Sequence, residues 1–344
     1  VKVLLTGSAG FIGSAVKRRL EERGDEVVAV DVMLDLAHGA TTPPVGTHRL
    51  DVRDADAWAD LLSGVDAVCH QAAVVGAGVR VADLPVYASH NDLGTAVLLA
   101  TMHEAGVRRL VLASSMVAYG EGAYECPEHG PQAPGPRSTE DLDAGRFDHA
   151  CPVCGQSLRW TLVDEAAPVD PRSSYAASKV AQEHYASAWA RHADAHAIAL
   201  RYHNVYGPGM PRDTPYAGVA AIFRSSLERG AAPRVFEDGA QMRDFVHVDD
   251  VARANLAALD AVIAEPAPFA AYNVCSGRPI SIAEVADRLA GADGPCPVVT
   301  GQYRLGDVRH VVASPEKAAR ELGFTALVHP DEGIADFATA PLRD

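Results

Sequence analysis

Val1-Lys-Val-Leu-Leu-Thr6-Gly7-Ser-Ala-Gly10-Phe11-Ile12-Gly13 opens the chain and decides the fold. Its first five residues are a short apolar, β-branched run, as expected of a strand buried in a parallel sheet. Glycines at three-residue steps follow, then a helical pattern to about Arg23. Such glycines let the backbone turn sharply and approach a diphosphate, whose charge then sits among the free N–H groups of a helix N-terminus. The next apolar run, Glu26 to Val30, ends in Asp31. A carboxylate there accepts hydrogen bonds from a ribose 2′-hydroxyl and repels a 2′-phosphate, which favours NAD over NADP. A glycine-rich turn alone occurs in ordinary α/β proteins. Strand, glycines, helix, strand and acid in this order predict a dinucleotide site, with Gly7, Gly10, Phe11, Ile12, Gly13 and Asp31 as its contacts.

Strand and helix patterns alternate to about residue 200, which predicts one doubly wound parallel sheet. Within it lies Tyr175-Ala-Ala-Ser-Lys179, with Ser115 about sixty residues earlier. Tyr and Lys four apart share one helix face. There an ammonium beside a phenol favours the phenolate and makes the Tyr usable as a base near neutral pH. A serine at a strand end can bond the same substrate oxygen and relay its proton. The trio suits removal of a hydroxyl proton while hydride leaves the same carbon. Alone, Tyr-x-x-x-Lys is also common on solvated helix faces; the dinucleotide motif upstream is what gives it weight.

The 344 residues are 48% hydrophobic and 22% charged, a globular composition with ample core. A net charge of −15 argues against nucleic acid and against an anionic membrane surface as partners. No apolar run approaches membrane-spanning length and the first strand begins at once, so a cytoplasmic enzyme is expected.

Residues 122–164 are unlike the rest: rich in Pro, Gly and charge, without strong periodicity. They carry Cys126-Pro-Glu-His129 and Cys151-Pro-Val-Cys154-Gly. Two pairs at two-residue spacing make one tetrahedral Cys₃His set, the donor chemistry of a structural zinc with no open position. Disulfides or a redox pair are the rival reading, disfavoured in a reducing compartment. The insert leaves just past Ser115 and returns before Tyr175, so it is expected to shape or cover the substrate pocket.

The ordered set of motifs resembles the extended short-chain dehydrogenase/reductase family, in its NAD-dependent nucleotide-sugar epimerase/dehydratase branch. Besides the glycine motif there are Asp51-Val52, His70-Gln-Ala72-Ala73, Asn91-Asp92, Leu110 to Ser115, Leu200 to Pro208, Arg243 to Asp250, Tyr272 to Gly277 and Arg304-Leu-Gly-Asp307. The resemblance implies a Rossmann domain from 1–203 and about 240–275, and a nucleotide-sugar lobe from about 204–239 and 276–344. It implies Ser115, Tyr175 and Lys179 as catalytic residues, Lys179 also on the nicotinamide ribose. Asp51, Val52, Ala72 and Asn91 join the NAD contacts, and Met116, Asn204, Arg243, Arg304 and Asp307 join Ser115 on the nucleotide sugar. Guanidinium is the preferred planar donor for phosphate oxygens, which fits the two arginines; surface ion pairing is their plainer reading. A homodimer paired through the helices after Asn91 and at Tyr175 is also implied.

In this branch the dehydratases carry Asp-Glu after the hydroxyl residue and the decarboxylases keep the Glu. Here Met116 and Val117 stand there. That leaves 4-epimerisation: oxidation at C4, rotation of the 4-keto sugar and return of the hydride. An apolar Met-Val pair suits a 6-deoxy sugar, and the insert is similar to that of dTDP-L-rhamnose 4-epimerases, which interconvert dTDP-L-rhamnose and dTDP-6-deoxy-L-talose. Alternatives are a UDP-glucose or UDP-glucuronate 4-epimerase, a nucleotide 4-keto-6-deoxysugar reductase and, in another class, a non-catalytic NAD-binding sensor.

Overall fold

The computed structural model describes residues 1–39, 41–76, 78, 80–212, 218–264 and 267–343. Strands β1 (Lys2–Thr6), β2 (Glu26–Asp31), β3 (Thr47–Arg49), β4 (Ala67–His70) and β5 (Arg109–Ser115) come first. The insert supplies β6 (Ala123–Cys126), β7 (Gly130–Gln132) and β8 (Arg159–Thr161). Then follow β9 (His196–Tyr202), β10 (Asn204–Tyr206), β11 (Arg234–Val235), β12 (Met242–His247), β13 (Phe269–Val274), β14 (Pro279–Ser281) and β15 (Val298–Val299).

Seven strands form the large sheet in the order β13-β9-β5-β4-β1-β2-β3, and every pairing in it is parallel. The doubly wound α/β expectation holds. The sheet is covered on both faces, and the sequence alternation shows how. Val3 and Leu5, Val111 and Ala113, Ile198 and Leu200 pack on one side with the helix Val248–Ile263. Leu4, Leu110, Leu112, Ala197 and Ala199 pack on the other against Leu98, Met102 and Ala186. Successive strand residues point to opposite faces, so continuous apolar runs are what a two-sided sheet needs. The winding reverses between β1 and β4, and the crevice beyond their carboxyl ends is where this topology binds ligands.

A smaller layer holds β10, β12 and β14 around Tyr206, Phe223, Phe245 and Phe337. The strand β12 bonds to β10 and β14, not to the large sheet. The chain therefore returns to the large sheet at the helix Val248–Ile263, which packs on Phe11–Arg23, rather than at about residue 240. On β12 Phe245 packs into the small core with Ile280 of β14, while Val246 faces the large one.

The insert is ordered as an antiparallel sheet in the order β7-β6-β8 with a short helix, Thr139–Asp143. It contributes no residue to the cleft described below; it docks instead on 307–314. Val163 N–H donates to the Val312 carbonyl at 2.8 Å and Ser314 N–H to the Val163 carbonyl at 2.9 Å. Beside this, Arg309 is 1% exposed and donates to Asp148 at 2.7 Å, Glu237 at 2.9 Å and Asp238 at 2.7 Å. Arg137 forks onto Glu237 at 2.8 and 2.9 Å. A buried guanidinium with every carboxylate partner in place holds, whereas removal of one partner leaves a costly buried charge.

Candidate active site

The glycine motif forms as its spacing predicts. Gly7 has φ 66, and a Cβ there would lie 2.6 Å from the Ala72 nitrogen. A Cβ on Gly13 would lie 2.0 Å from the Gly7 carbonyl oxygen. Both positions are closed to any side chain, the second because the helix Phe11–Arg23 starts hard against the turn. Asp31 is buried at the end of β2 and accepts from Ala9 N at 3.0 Å and Met33 N at 2.8 Å. Burial alone would raise its pKa; bonds from His38, Met33 and Ala9 reverse that and hold it below the ordinary carboxylate value. Arg53 holds Asp51 down in the same way, mainly through its side-chain hydrogen bonds.

These residues line a single cleft of about 430 Å³ that runs from Asp31 past Gly7, Gly10 and Gly13 to Ser115, Tyr175 and Lys179. Phe11, Ile12, Asp51, Val52 and Ala72 face it too, as do Met116 and Asn204 at the Ser115 end. His70, behind the cleft, bonds Thr6 Oγ1 at 2.7 Å through Nδ1 and Thr95 Oγ1 at 3.1 Å through Nε2. Burial pushes its pKa down to about 3, so it is a neutral strut between β4, β1 and the helix Gly94–Glu104.

The helix Ser174–His192 carries Tyr175 and Lys179. Ser173 caps it by accepting from Ala176 N at 3.1 Å. Ser115 hydrogen-bonds the Tyr175 side chain. Lys179 Nζ lies 5.9 Å from the Tyr175 ring centre and donates to the Ala113 carbonyl at 3.0 Å. Here the structure departs from the sequence expectation. Burial pushes the Tyr175 phenol above its ordinary value, Ser115 opposing, and pushes Lys179 down to about 8. Desolvation disfavours the phenolate more than an ammonium held at that distance by a carbonyl favours it. One turn on, Glu183 accepts from Arg201 at 2.7 and 3.0 Å, locking the helix to β9.

Asn91 is not in the cleft. It is fully buried: Oδ1 accepts from Val74 N at 2.8 Å, and Nδ2 donates to the Val74 carbonyl at 3.0 Å and to Ser178 Oγ at 2.9 Å. With its amide committed, it positions the cleft-lining residues 71–75 against the helix Ser174–His192. Arg243, Arg304 and Asp307 also lie outside the cleft lining. Arg243, one strand from Asn204, donates to the carbonyls of Val308 at 2.7 Å and Arg309 at 2.8 Å. Arg304 is exposed, its guanidinium 5.1 Å from the Phe236 ring centre. Asp307 N–H donates to the Arg304 carbonyl at 3.2 Å, so 304–309 forms one ledge beside Arg243. Sequence reading missed His38, His203 and Arg343, all on the cleft wall. His203 lies within the Leu200 to Pro208 motif; no local pattern marks the other two.

In the insert the four donor atoms of Cys126, His129, Cys151 and Cys154 lie within 4.8 Å of one another. Cys126 Sγ is 3.7 Å from Cys154 Sγ and 3.5 Å from His129 Nδ1; Cys151 Sγ is 3.7 Å from the same nitrogen. Tetrahedral zinc, with bonds of about 2.3 Å to S and 2.0–2.1 Å to N, separates its ligand atoms by roughly 3.5–3.8 Å. All six cysteines are free thiols.

The description "NAD dependent epimerase/dehydratase family" matches residues 3–140 and 151–275. The chain belongs to this family. A relative from Burkholderia thailandensis, named dTDP-L-rhamnose 4-epimerase, is 35% identical over 98% of this chain and 94% of its own length. A UDP-glucose 4-epimerase of Mycolicibacterium smegmatis is 32% identical over 97% of this chain and 96% of its own. The crystal structure of a Thermus thermophilus UDP-glucose 4-epimerase in complex with NAD superposes with a TM-score of 0.76 at 31% identity, over 98% of each chain. NAD is the cofactor of this family member, and the closed glycine turn with the buried Asp31 fits it. Among the described residues no helix is long and apolar enough to cross a membrane.

Proposed function

We propose that this epimerase-family chain interconverts the C4 epimers of a dTDP-6-deoxy-L-hexose, dTDP-L-rhamnose and dTDP-6-deoxy-L-talose. The reaction class, NAD-dependent 4-epimerisation of a nucleotide sugar, is that of the relatives. One observation carries the choice within the branch. The only carboxylates on the cleft wall among the described residues are Asp31, at the end of β2, and Asp51, just after β3, and Met116 stands beside Ser115. Eliminating water across neighbouring carbons, or expelling a carboxyl group, needs acids and bases beyond Tyr175. Proton transfer at a single carbon does not. When bound, NAD supplies the hydride acceptor and the positive charge of its oxidised ring. Tyr175 takes the C4 hydroxyl proton, Ser115 holds that oxygen, and Lys179 supports the phenolate. Asn204, by donating from its side-chain amide nitrogen, and the Arg243–Asp307 ledge hold the nucleotide diphosphate while the sugar turns.

The relative's name and the insert favour the 6-deoxy sugar, and Met116 offers its methyl an apolar surface. Purified protein is to be given dTDP-L-rhamnose, UDP-glucose and UDP-glucuronate separately, without added NAD(H), and the sugar H4 and H1 followed by proton NMR. An isomer of equal mass from dTDP-L-rhamnose is expected. Turnover of UDP-glucose or UDP-glucuronate alone would reassign the sugar. Stoichiometric NADH consumption by a 4-keto-6-deoxysugar would make it a reductase, and bound NAD with no turnover a sensor.

The insert's Cys₃His set holds one structural zinc in this reading, and the working compartment is the cytoplasm. Two copies pair through the helices Gly94–Glu104 and Ser174–His192, where Leu93 and Tyr185 are exposed at 52% and 45%. Sedimentation equilibrium is expected to give the mass of two chains; a monomer at micromolar concentration would reject this.

A further inference from the structure

Arg343 lies far in sequence from the glycine motif, yet its guanidinium reaches the turn. One terminal nitrogen donates to the Ala9 carbonyl at 2.7 Å, and the side chain faces the same cleft as Gly7, Gly10 and Gly13. Its Nε is buried and has no hydrogen-bond partner. The Ala9 peptide is thus held from both ends, its N–H by Asp31 and its carbonyl by Arg343. The backbone that presents Arg343 is fixed as well. Gly209 N–H donates to Pro341 O at 2.8 Å, Arg343 N–H to Met210 O at 3.0 Å, and Arg212 N–H to Arg343 O at 2.9 Å. Leu342 packs with Tyr206 and Phe337 in the small core. A segment of the substrate lobe therefore carries a permanent positive charge to the residue before the helix cap at Gly10.

We propose that Arg343 is a clasp for the cofactor diphosphate, reaching from the substrate lobe over the glycine turn. A dianion at a helix N-terminus gains from the N–H groups and the dipole. A guanidinium whose free N–H groups face it adds charge-assisted bonds of the stronger kind. The clasp also ties NAD retention to the seating of the small lobe. An enzyme that regenerates its NAD within each turnover benefits from slow release, and the glycine turn has no basic side chain of its own between Thr6 and Val16.

The test starts from holoenzyme purified with its NAD. Release of NAD is followed after dilution into excess competitor, for wild type, Arg343→Met and Arg343→Lys. Arg343→Met is expected to lose NAD roughly ten- to a hundredfold faster, and Arg343→Lys less so. Equilibrium competition then separates the contacts. ADP should lose affinity for Arg343→Met as NAD does, while adenosine is unaffected. A loss for NADP with none for ADP would place the charge at the ribose. Unchanged NAD release, or an equal loss for adenosine, would overturn the clasp. Should Arg343→Met not fold, the wild type still decides: added salt must speed NAD release, and salt-independent release rejects the proposal.

Discussion

Tyr175→Phe is expected to lower epimerisation by about 10²- to 10⁴-fold while bound NAD and the melting temperature stay near wild type. The change removes only the hydroxyl. The ring keeps its packing 5.8 Å from Tyr87, and Lys179 keeps its bond to the Ala113 carbonyl. What goes is the group that Ser115 bonds and that carries the C4 proton. The pH dependence has a definite sign. Burial holds the Tyr175 phenol up, so its basic form grows as pH rises and kcat/KM should climb with it. Lys179, pushed down to about 8, carries its charge below that pH and loses it above, so the gain flattens there. Lys179→Met should move the rising limb to higher pH, because the phenolate loses its cation. Pre-steady-state and steady-state rates for both variants between pH 6 and 10 check this. A Tyr175→Phe enzyme keeping a tenth of its activity would sink the assignment.

Cys151→Ser, or removal of metal by a strong chelator, is expected to lower the melting temperature by several degrees and to raise KM for the nucleotide sugar more than it lowers kcat. Binding free energy at a structural zinc is also folding free energy, because the site does not exist in the unfolded segment. The insert's own core is small: Tyr124, Cys126, Cys151, Leu158 and Trp160. Two of those five belong to the Cys₃His cluster, so if it holds metal, removing it takes away much of what the lobe buries. Loosening reaches the Arg243–Asp307 ledge, the proposed diphosphate grip, by named contacts. Arg137 and Asp148 of the insert meet Glu237 and Arg309, and the Arg309 carbonyl accepts from Arg243. Metal analysis, melting curves and the KM–kcat split decide it. Metal-free protein with unchanged melting and KM would show the insert to be inert.

The dinucleotide half was legible because its signals are local. Three glycines and an acid at fixed offsets can be read without knowing the fold, and Gly7, Gly13 and Asp31 stand where the spacing puts them. The knuckles were legible for the same reason, since two short turns carry all four donors. Asn91 lies behind the cleft wall; a motif gives residue type and position but not direction. Its buried amide is spent on Val74 and Ser178. Arg343 was invisible, as nothing near it in sequence marks it and its partner is more than three hundred positions away. The insert was expected to shape or cover the substrate pocket from where it leaves and rejoins the chain. Its edge contacts with 307–314 set it beside the Arg243–Asp307 ledge, and it contributes no residue to the cleft wall.

By itself, the sequence determined the sheet's architecture, the glycine turn, the pairing of Ser115, Tyr175 and Lys179 on one cleft and the Cys₃His cluster, because periodicity, glycine sterics and short-range spacing act over a few residues. Tertiary structure alone decided the desolvation of Tyr175, the direction of Asn91, the docking of the insert and the reach of Arg343. Each of those depends on desolvation or on a partner brought close only when the chain has folded, and neither is written within one turn of helix or one strand.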